Sequence, residues 1–564
     1  MVSRRRFLKV PPLALAAGAV ARAADAMGQD VPPPPQQPRS LEPPPPLPQP
    51  ELSAGHRGPR VNAKYDTYIR NPLVEGNEFL RMEPDDAPVP SFDVSRGVLP
   101  EPSWEGHAST IDCYWKAWQL AFSHLMRPEP ASGFVANFID PAFNDCLFMW
   151  DACFMVMFGR YGASAFPFVR TLDNLYAKQH PDGFICREIG RVDGADRFFR
   201  YDPDSTGPNV LGWTEWEHYR NFGDRGRLAR VFPVLRAYHQ WLRAFRTWPD
   251  GSYFSSGWGC GMDNQPRLNR DLPYYNHAHS HGWMTWVDTT LQQVLSARVL
   301  VRMAQELGAA DDAADVSEEI ERLSRFVNAQ LWDETAGFYF DRWNDGRLNG
   351  VRSIGAYWAL LAGVVPSERL DRFVAHLDDP RTFKRPHRVP SLAADTPEYD
   401  PKGGYWRGGV WPYPNYMVLR GLTQVGRDGL AHEIARNDVG NVVSVFESSG
   451  TLWENYAPES AAPGDPARRD FVGPGGLPPI GVLFEYVFGL RPDAPAQRLV
   501  WDVRLTEAHG IERYPFGREV TIDLSCARRR SSNARPRVEA RASAPVDLEV
   551  RWAGGSDVMR IGKS

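Results

Sequence analysis

Val234-Leu235-Arg236-Ala237-Tyr238-His239-Gln240-Trp241-Leu242-Arg243-Ala244-Phe245, followed by Pro249-Asp250-Gly251-Ser252-Tyr253-Phe254, reads as an amphipathic helix closed by a glycine turn and a short aromatic extension. Leu235, Tyr238, Leu242 and Phe245 recur at three- and four-residue spacing, which puts them on one helical face. Pro233 suits the first turn of that helix, where a backbone N–H has no partner to lose. Val287, Leu291, Val294 and Leu295 repeat the pattern, as do Val316, Ile320, Leu323 and Val327. The turn also returns, as Pro181-Asp182-Gly183-Phe184 and as Ala336-Gly337-Phe338-Tyr339-Phe340. Amphipathic helices punctuated at comparable points predict repeated helical hairpins arranged around a centre, in a mainly α body from 104 to 490.

Beyond Leu490 the period changes from three or four to two. Leu499, Trp501, Val503 and Leu505 alternate with other residues, then Val520, Ile522 and Leu524, then Val546, Leu548, Val550 and Trp552, so residues 491–564 are predicted to form a small β-rich domain packed on the helical body. Residues 60–103, rich in Pro and Gly, read as an irregular or β-containing lead-in. Before them lies a proline-rich tract, 27–59, without the apolar side chains a core needs, which is expected to be an extended spacer. Ser3-Arg4-Arg5-Arg6-Phe7-Leu8-Lys9, followed by a short apolar stretch and small residues through Ala26, resembles a twin-arginine export signal spanning 1–26. The expected location is therefore periplasmic or extracellular, with no stable membrane span after cleavage, because the apolar stretch is too short to cross a bilayer.

A chain of 564 residues, 43% hydrophobic and 12% aromatic, can bury a large core. A net charge of −5 without a basic stripe argues against nucleic acid as a partner. The six cysteines, Cys113, Cys146, Cys153, Cys186, Cys260 and Cys526, have neither CxxC pairing nor metal-ligand spacing. His277, His279 and His281 are spaced by two in a loop and read as polar surface residues more readily than as metal ligands. No phosphate-binding glycine loop follows a strand, so no cofactor is expected; a structural Ca²⁺ is compatible with the sequence but not indicated by it.

Four segments concentrate carboxylates, amides, arginines and aromatics. They are Phe148-Met149-Trp150-Asp151, the glycine-rich loop Gly257–Arg267 with Trp258, Asp263, Asn264 and Arg267, the stretch Gly403–Tyr416 with Trp406, Arg407, Trp411 and Asn415, and Trp453-Glu454-Asn455-Tyr456. Pyranose rings pack their apolar faces on Trp and Tyr, and their hydroxyls need fixed carboxylates, amides and Arg. Two carboxylates facing each other across a cleft are what glycosidic bond cleavage requires. Asp263 and Glu454 are the first candidates, with Glu459 and Glu485 as alternatives to the second. Asp151 lies in an apolar run that also suits a buried structural acid, and Asp288, at the head of a helix, suits a cap.

Met262-Asp263-Asn264-Gln265-Pro266-Arg267, Trp406-Arg407-Gly408 with Trp411 and Asn415-Tyr416, Glu454-Asn455-Tyr456, and the closing segment from Gly475 to Tyr486 together resemble the clan of inverting glycosidases. That clan includes family 63 α-glucosidases, trehalases and mannosylglycerate hydrolases, and the likeness to the last is strongest. The resemblance covers about Trp104 to Leu490 and implies an (α/α)6 barrel. It also implies Asp263 as general acid, Glu454 as general base, and Asp151 and Arg267 as residues that hold sugar hydroxyls. The sequence departs from trehalases in Cys260-Gly261-Met262 before the acid and lacks their glycine-rich stretch after the base, which argues against trehalose. Gln265 stands where relatives commonly carry a small residue.

The expected activity is that of an exported inverting glycosidase acting on an α-glucoside or α-mannoside, including mannosylglycerate-like substrates, with a small saccharide or glycoside as partner. Asp263 would hold its proton as substrate binds, helped by Trp258 and Met262 excluding water, while Glu454 would stay ionised and activate a water. A polysaccharide lyase on a helical toroid would want a Tyr/His or Arg pair beside a uronic acid, and a non-catalytic sugar-binding protein would not need both carboxylates. The oligomeric state is not legible.

Overall fold

A computed structural model describes residues 70–85, 87–141, 143–269 and 279–562. Among them, twelve helices alternate between an outer and an inner layer. The outer helices are α1 (Ala108–Ser123), α3 (Thr171–Tyr176), α5 (Arg225–Phe245), α7 (Ala314–Gln330), α9 (Ser367–Ala375) and α11 (Asp428–Ser449). The inner ones are α2 (Met149–Gly159), α4 (Leu211–Phe222), α6 (Val287–Leu307), α8 (Trp358–Leu361, entered through the 3-10 turn Ile354–Tyr357), α10 (Pro412–Gln424) and the π-type helix α12 (Leu477–Val487). Each inner helix packs on the next, α2 on α4, α4 on α6, α6 on α8, α8 on α10, α10 on α12 and α12 back on α2. The ring is closed, and the body is the (α/α)6 barrel that the resemblance implies.

The two layers follow from where apolar residues sit. On α7 the buried positions are Val316, Glu319, Leu323 and Val327, a single stripe facing α6, as an outer helix requires. On α2 nearly every residue is buried, including Met149, Ala152, Cys153, Phe154 and Phe158, because ring neighbours and outer helices cover it on all sides. Pro233 lies inside α5, which begins at Arg225, so the helix starts two turns earlier than the sequence reading places it. The N-cap is Asp224, whose side chain accepts the N–H of Arg227; that capping signal outweighs the proline.

Connection lengths separate the two ends of the barrel. Outer-to-inner connections, 124–148, 177–210, 246–286, 331–353, 376–411 and 450–476, are long, whereas inner-to-outer connections such as 223–224, 308–313 and 425–427 are short. The recurring glycine turns all follow outer helices: Gly183, Gly251 and Gly337 have φ of +101°, +78° and +62°, values that favour glycine. At Gly183 an added Cβ would also lie 2.5 Å from the Ala237 carbonyl oxygen.

The opposite end carries the β domain, which is two four-stranded sheets. One has the order β1 (Glu101–Trp104), β4 (His509–Phe516), β5 (Val520–Cys526), β6 (Val538–Ala542), all neighbours antiparallel. The other has the order β8 (Gly555–Ile561), β7 (Val546–Trp552), β3 (Arg498–Asp502), β2 (Leu490–Asp493), with β7 and β3 parallel. Leu499, Trp501, Ile522, Leu524, Val546, Leu548 and Val550 face inward as their alternation predicts. Val503 and Leu505 are buried outside any strand. Of the irregular and β-containing alternatives for the lead-in, its end takes the second: Glu101–Trp104 is a strand that pairs with β4 over Glu101–Glu512 to Trp104–His509. Four residues with Pro102 among them carry too little alternation to be read alone. The domain packs on the ends of the inner helices, with Asn221 at the end of α4 donating to Pro515 O and Tyr161 just past α2 against Tyr514. Among the described residues no helix is long and apolar enough to cross a membrane.

Candidate active site

All four chemistry-bearing segments lie at the end of the barrel where the long connections gather. Asp151 is in the first turn of α2, Asp263 is in the 246–286 connection, Gly403–Trp411 closes the 376–411 connection, and Glu454 is in the 450–476 connection. Segments separated by hundreds of residues thus share one rim because the hairpin repeat delivers them there.

The acid-bearing loop is built of successive turns: Cys260 N–H donates to Ser256 O, Met262 N–H to Gly257 O, and Gln265 N–H to Met262 O. Gly261, with φ +77°, lies against the Trp150 ring. Three side chains pin the loop. Gln265 donates to Ser391 O at 2.6 Å and accepts from Ser353 Oγ at 2.7 Å, so its amide ties the loop to two neighbouring segments. Asn264 donates to Gly404 O and accepts from Trp406 N–H, both at 2.9 Å. Arg267 is 1% exposed and donates to both oxygens of Asp288 and both of Asp341, with Cys260 Sγ at 3.6 Å. Burial opposes its charge, and the two carboxylates outweigh burial and hold its guanidinium well above the ordinary value. The five N–H groups of Arg267 are engaged by protein, so its place is to fix the loop to the head of α6, and the sugar-binding role implied by the resemblance is corrected. Asp288 is not the cap expected from the sequence: the N-cap is Trp286, and Asp288, inside the first turn, accepts from Thr289 N–H and from Arg267. Asp263 itself is half-buried.

Glu454 is 3% exposed and faces Tyr405 Oη at 3.5 Å from Oε1 and Arg468 Nε at 3.5 Å from Oε2. Its N–H donates to Arg468 O at 2.9 Å. The adjoining residues hold the backbone. Tyr456 and Val410 exchange backbone hydrogen bonds of 3.0 and 2.9 Å, and Asn455 Nδ2 donates to Pro466 O, so these two buried side chains brace the rim and are not presented to a ligand. Glu459 is taken by Arg385 and Tyr399, and Arg385 holds its carboxyl below the usual range. Glu485 receives Arg160, Tyr161 and Tyr416 deep in the ring. Neither alternative stands at the rim as an available carboxylate.

The aromatic residues sort by exposure. Trp150, Trp258, Tyr405 and Trp453 are half-buried, with edges that can meet a ring. Trp406 and Trp411 are buried and stacked on each other at 4.0 Å and 4°, and Trp411 Nε1 donates to Tyr405 O. They form the support behind Tyr405, a correction to their expected contact with sugar. Asp151 Oδ1 accepts from Tyr413 Oη at 2.7 Å. Arg407 is exposed, while Asn415 is fully buried on the α11 side of α10, near Arg388 O and Asp438, so it does not reach the rim. His279 pairs with Asp204 at 2.6 Å and His281 packs on Trp248 and Trp283; His277 lies outside the described residues. Among the described residues no group of three or more His, Cys, Asp or Glu is placed to hold a metal ion.

Tyr405 and Arg468 are the neighbours of Glu454 that the sequence reading does not single out. Tyr405 has φ +66°, a conformation that costs a non-glycine residue about 1–2 kcal/mol. The available signal is its setting between Gly403-Gly404 and Gly408-Gly409.

The family described as "Mannosylglycerate hydrolase MGH1-like glycoside hydrolase domain" matches residues 146–471, a span that contains all four rim segments. The chain is similar to the mannosylglycerate hydrolase of Thermus thermophilus, 26% identical over 322 residues, covering 45% of this chain and 75% of that protein. It is also similar to a probable mannosyl-oligosaccharide glucosidase of Schizosaccharomyces pombe, 24% identical, covering 44% of this chain and 33% of that longer protein. The crystal structure of a GH63 mannosylglycerate hydrolase from Thermus thermophilus in complex with glucose shares the fold, with a TM-score of 0.52 and 22% identity, covering 65% of this chain and 98% of that one. A match across more than half of the chain, on the rim and on the ring that carries it, shows that this protein belongs to the MGH1-like mannosylglycerate hydrolase family of glycoside hydrolases and is a glycosidase.

Proposed function

We propose that the enzyme cleaves an α-glucoside or α-mannoside of small size, mannosylglycerate-like compounds included, with inversion at the anomeric carbon. Asp263 serves as general acid and Glu454 as general base. The observation that carries this reading is the direct connection between the two carboxylate loops: Asn264, next to Asp263, holds the backbone on both sides of Tyr405, and the Tyr405 hydroxyl faces Glu454. In this mechanism Asp263 protonates the leaving oxygen while Glu454, beside Arg468, takes a proton from a water that attacks the opposite face of the sugar. Asp151, in the first turn of an inner helix, and the half-buried edges of Trp150, Trp258 and Trp453 supply sugar contacts. The twin-arginine-like stretch and the proline-rich tract lie outside the described residues; they support export to the periplasm or beyond as part of the same proposal.

The test is hydrolysis of a panel of α-glucosides, α-mannosides and glycosylglycerates, with the product anomer followed by NMR. Asp263→Asn and Glu454→Gln are each expected to lower kcat/KM by roughly 10²–10⁴-fold without loss of folded protein. Release of the inverted anomer supports the reading. Retained configuration, or turnover that survives both substitutions, places the chemistry elsewhere.

A further inference from the structure

We infer that Asn264 and Tyr405 form a positioning link that transmits the placement of the acid loop to the base. The inference rests on the assignment of Asp263 and Glu454 above. Asn264 follows Asp263 directly, and its amide is committed to protein on both sides, donating to Gly404 O and accepting from Trp406 N–H. Its expected use as a sugar ligand is thereby replaced by a clasp around Tyr405. Inside the clasp, Tyr405 is held in a left-handed conformation that its side chain disfavours. A third bond, from Trp411 Nε1 to Tyr405 O, and the buried Trp406–Trp411 stack fix it from behind.

One hydrogen bond on the Tyr405 carbonyl and one on each flanking residue fix the position of this strained residue, and what that position delivers is a hydroxyl beside one oxygen of Glu454. Arg468 faces the other oxygen, so both edges of the carboxylate meet a donor. A phenol that donates to an ionised carboxylate favours the charged form and restricts its rotation. The spacing between acid and base is therefore set by a backbone-to-side-chain path of three residues, and not by two independent loops.

The experiment is a double-mutant cycle on the purified full chain with a glycoside substrate that it turns over. Tyr405→Phe is expected to lower kcat about tenfold and to move the acid limb of the kcat/KM–pH profile upward by roughly half a unit, because a donor to the base is lost. Asn264→Ala is expected to cost about 10²-fold in kcat, since misplacement by an ångström is enough for that. Asn264→Asp, which keeps the acceptor to Trp406 and loses the donor, should fall between. The double variant Asn264→Ala/Tyr405→Phe should be no slower than Asn264→Ala alone, because both act through one path. Multiplicative losses in the double variant, together with an unmoved acid limb in Tyr405→Phe, overturn the link while Asp263→Asn and Glu454→Gln remain inactive. Turnover that survives in those two controls removes the acid and base assignment, and this link with it.

Discussion

The two ends of the barrel are made from the same helices and obey opposite rules. At the rim, where inner helices begin, connections are long, and Trp150, Trp258, Tyr405 and Trp453 keep exposed edges. At the far end, where inner helices finish, connections are short and charges are paired at close range. Arg160, just past α2, bonds Glu485 of α12 at 2.6 Å, and Arg420 of α10 bonds Glu217 of α4 at 2.6 Å, with Tyr161 and Tyr416 closing the set. Two arginines and two glutamates there balance within the ring, whereas Glu454 at the rim meets Arg468 at the longer distance of 3.5 Å. The difference teaches that close ion pairs lock carboxylates in place at both ends, Arg267 with Asp288 and Asp341 at the rim included, and that Glu454, whose cation stands off at 3.5 Å, is the carboxylate kept out of such a lock.

The largest effect expected from this contrast is on stability. Arg160→Met leaves Glu485 buried with two tyrosine hydroxyls as its remaining donors and should cost about 3–5 kcal/mol in urea unfolding, with kcat per folded molecule unchanged. A large fall in kcat with intact stability would mean that the far end takes part in chemistry.

A second test uses pH. Burial pushes His509 of β4 down to about 4 from the ordinary 6.5, with Arg529 adding to the effect. Between these values the unfolded chain takes up a proton that the folded chain refuses, so this contribution is complete above pH 6.5 and drains away as the pH falls toward 4. It amounts to roughly 3 kcal/mol. His509→Gln should flatten the fall of Tm across that window; an unchanged slope would place the acid sensitivity outside the β domain.

The smallest effect belongs to the rim. Arg468→Gln removes the cation beside Glu454 and should move the acid limb of the rate–pH profile upward by roughly one unit while Tm stays within a degree or two. A fall in Tm comparable to that of Arg160→Met would erase the contrast between the two ends.

Much of this organisation can be read in one dimension because it depends on local periodicity. Leu235, Tyr238 and Leu242 announce α5, and Val316, Leu323 and Val327 announce α7, since each lies on a helix with one covered face. Inner helix α2 gives no such stripe, being covered on every side, and β6, Val-Glu-Ala-Arg-Ala, alternates with only one large apolar side chain on its half-buried face. The same division runs through the site. That four polar, aromatic segments belong together is visible in their composition. Which side chains serve protein and which serve ligand is not, because the deciding partners are remote: Asp341 lies 74 residues from Arg267, and Gly404 lies 140 from Asn264. Arg267, Asn415, Asn455 and Tyr456 look like ligands in sequence and are braces in space.

Strand β1 carries a consequence for how the molecule is assembled. Arg513 reaches Glu101 across 412 residues, and β1 can take its place only after β4 has been synthesised. The seam is therefore a contact of very long sequence separation, closed at a correspondingly large loop-entropy cost, and it cannot form until residues 509–516 have been made. A chain halted before residue 509 would have the complete rim and every reactive group, yet lack the seam that closes it.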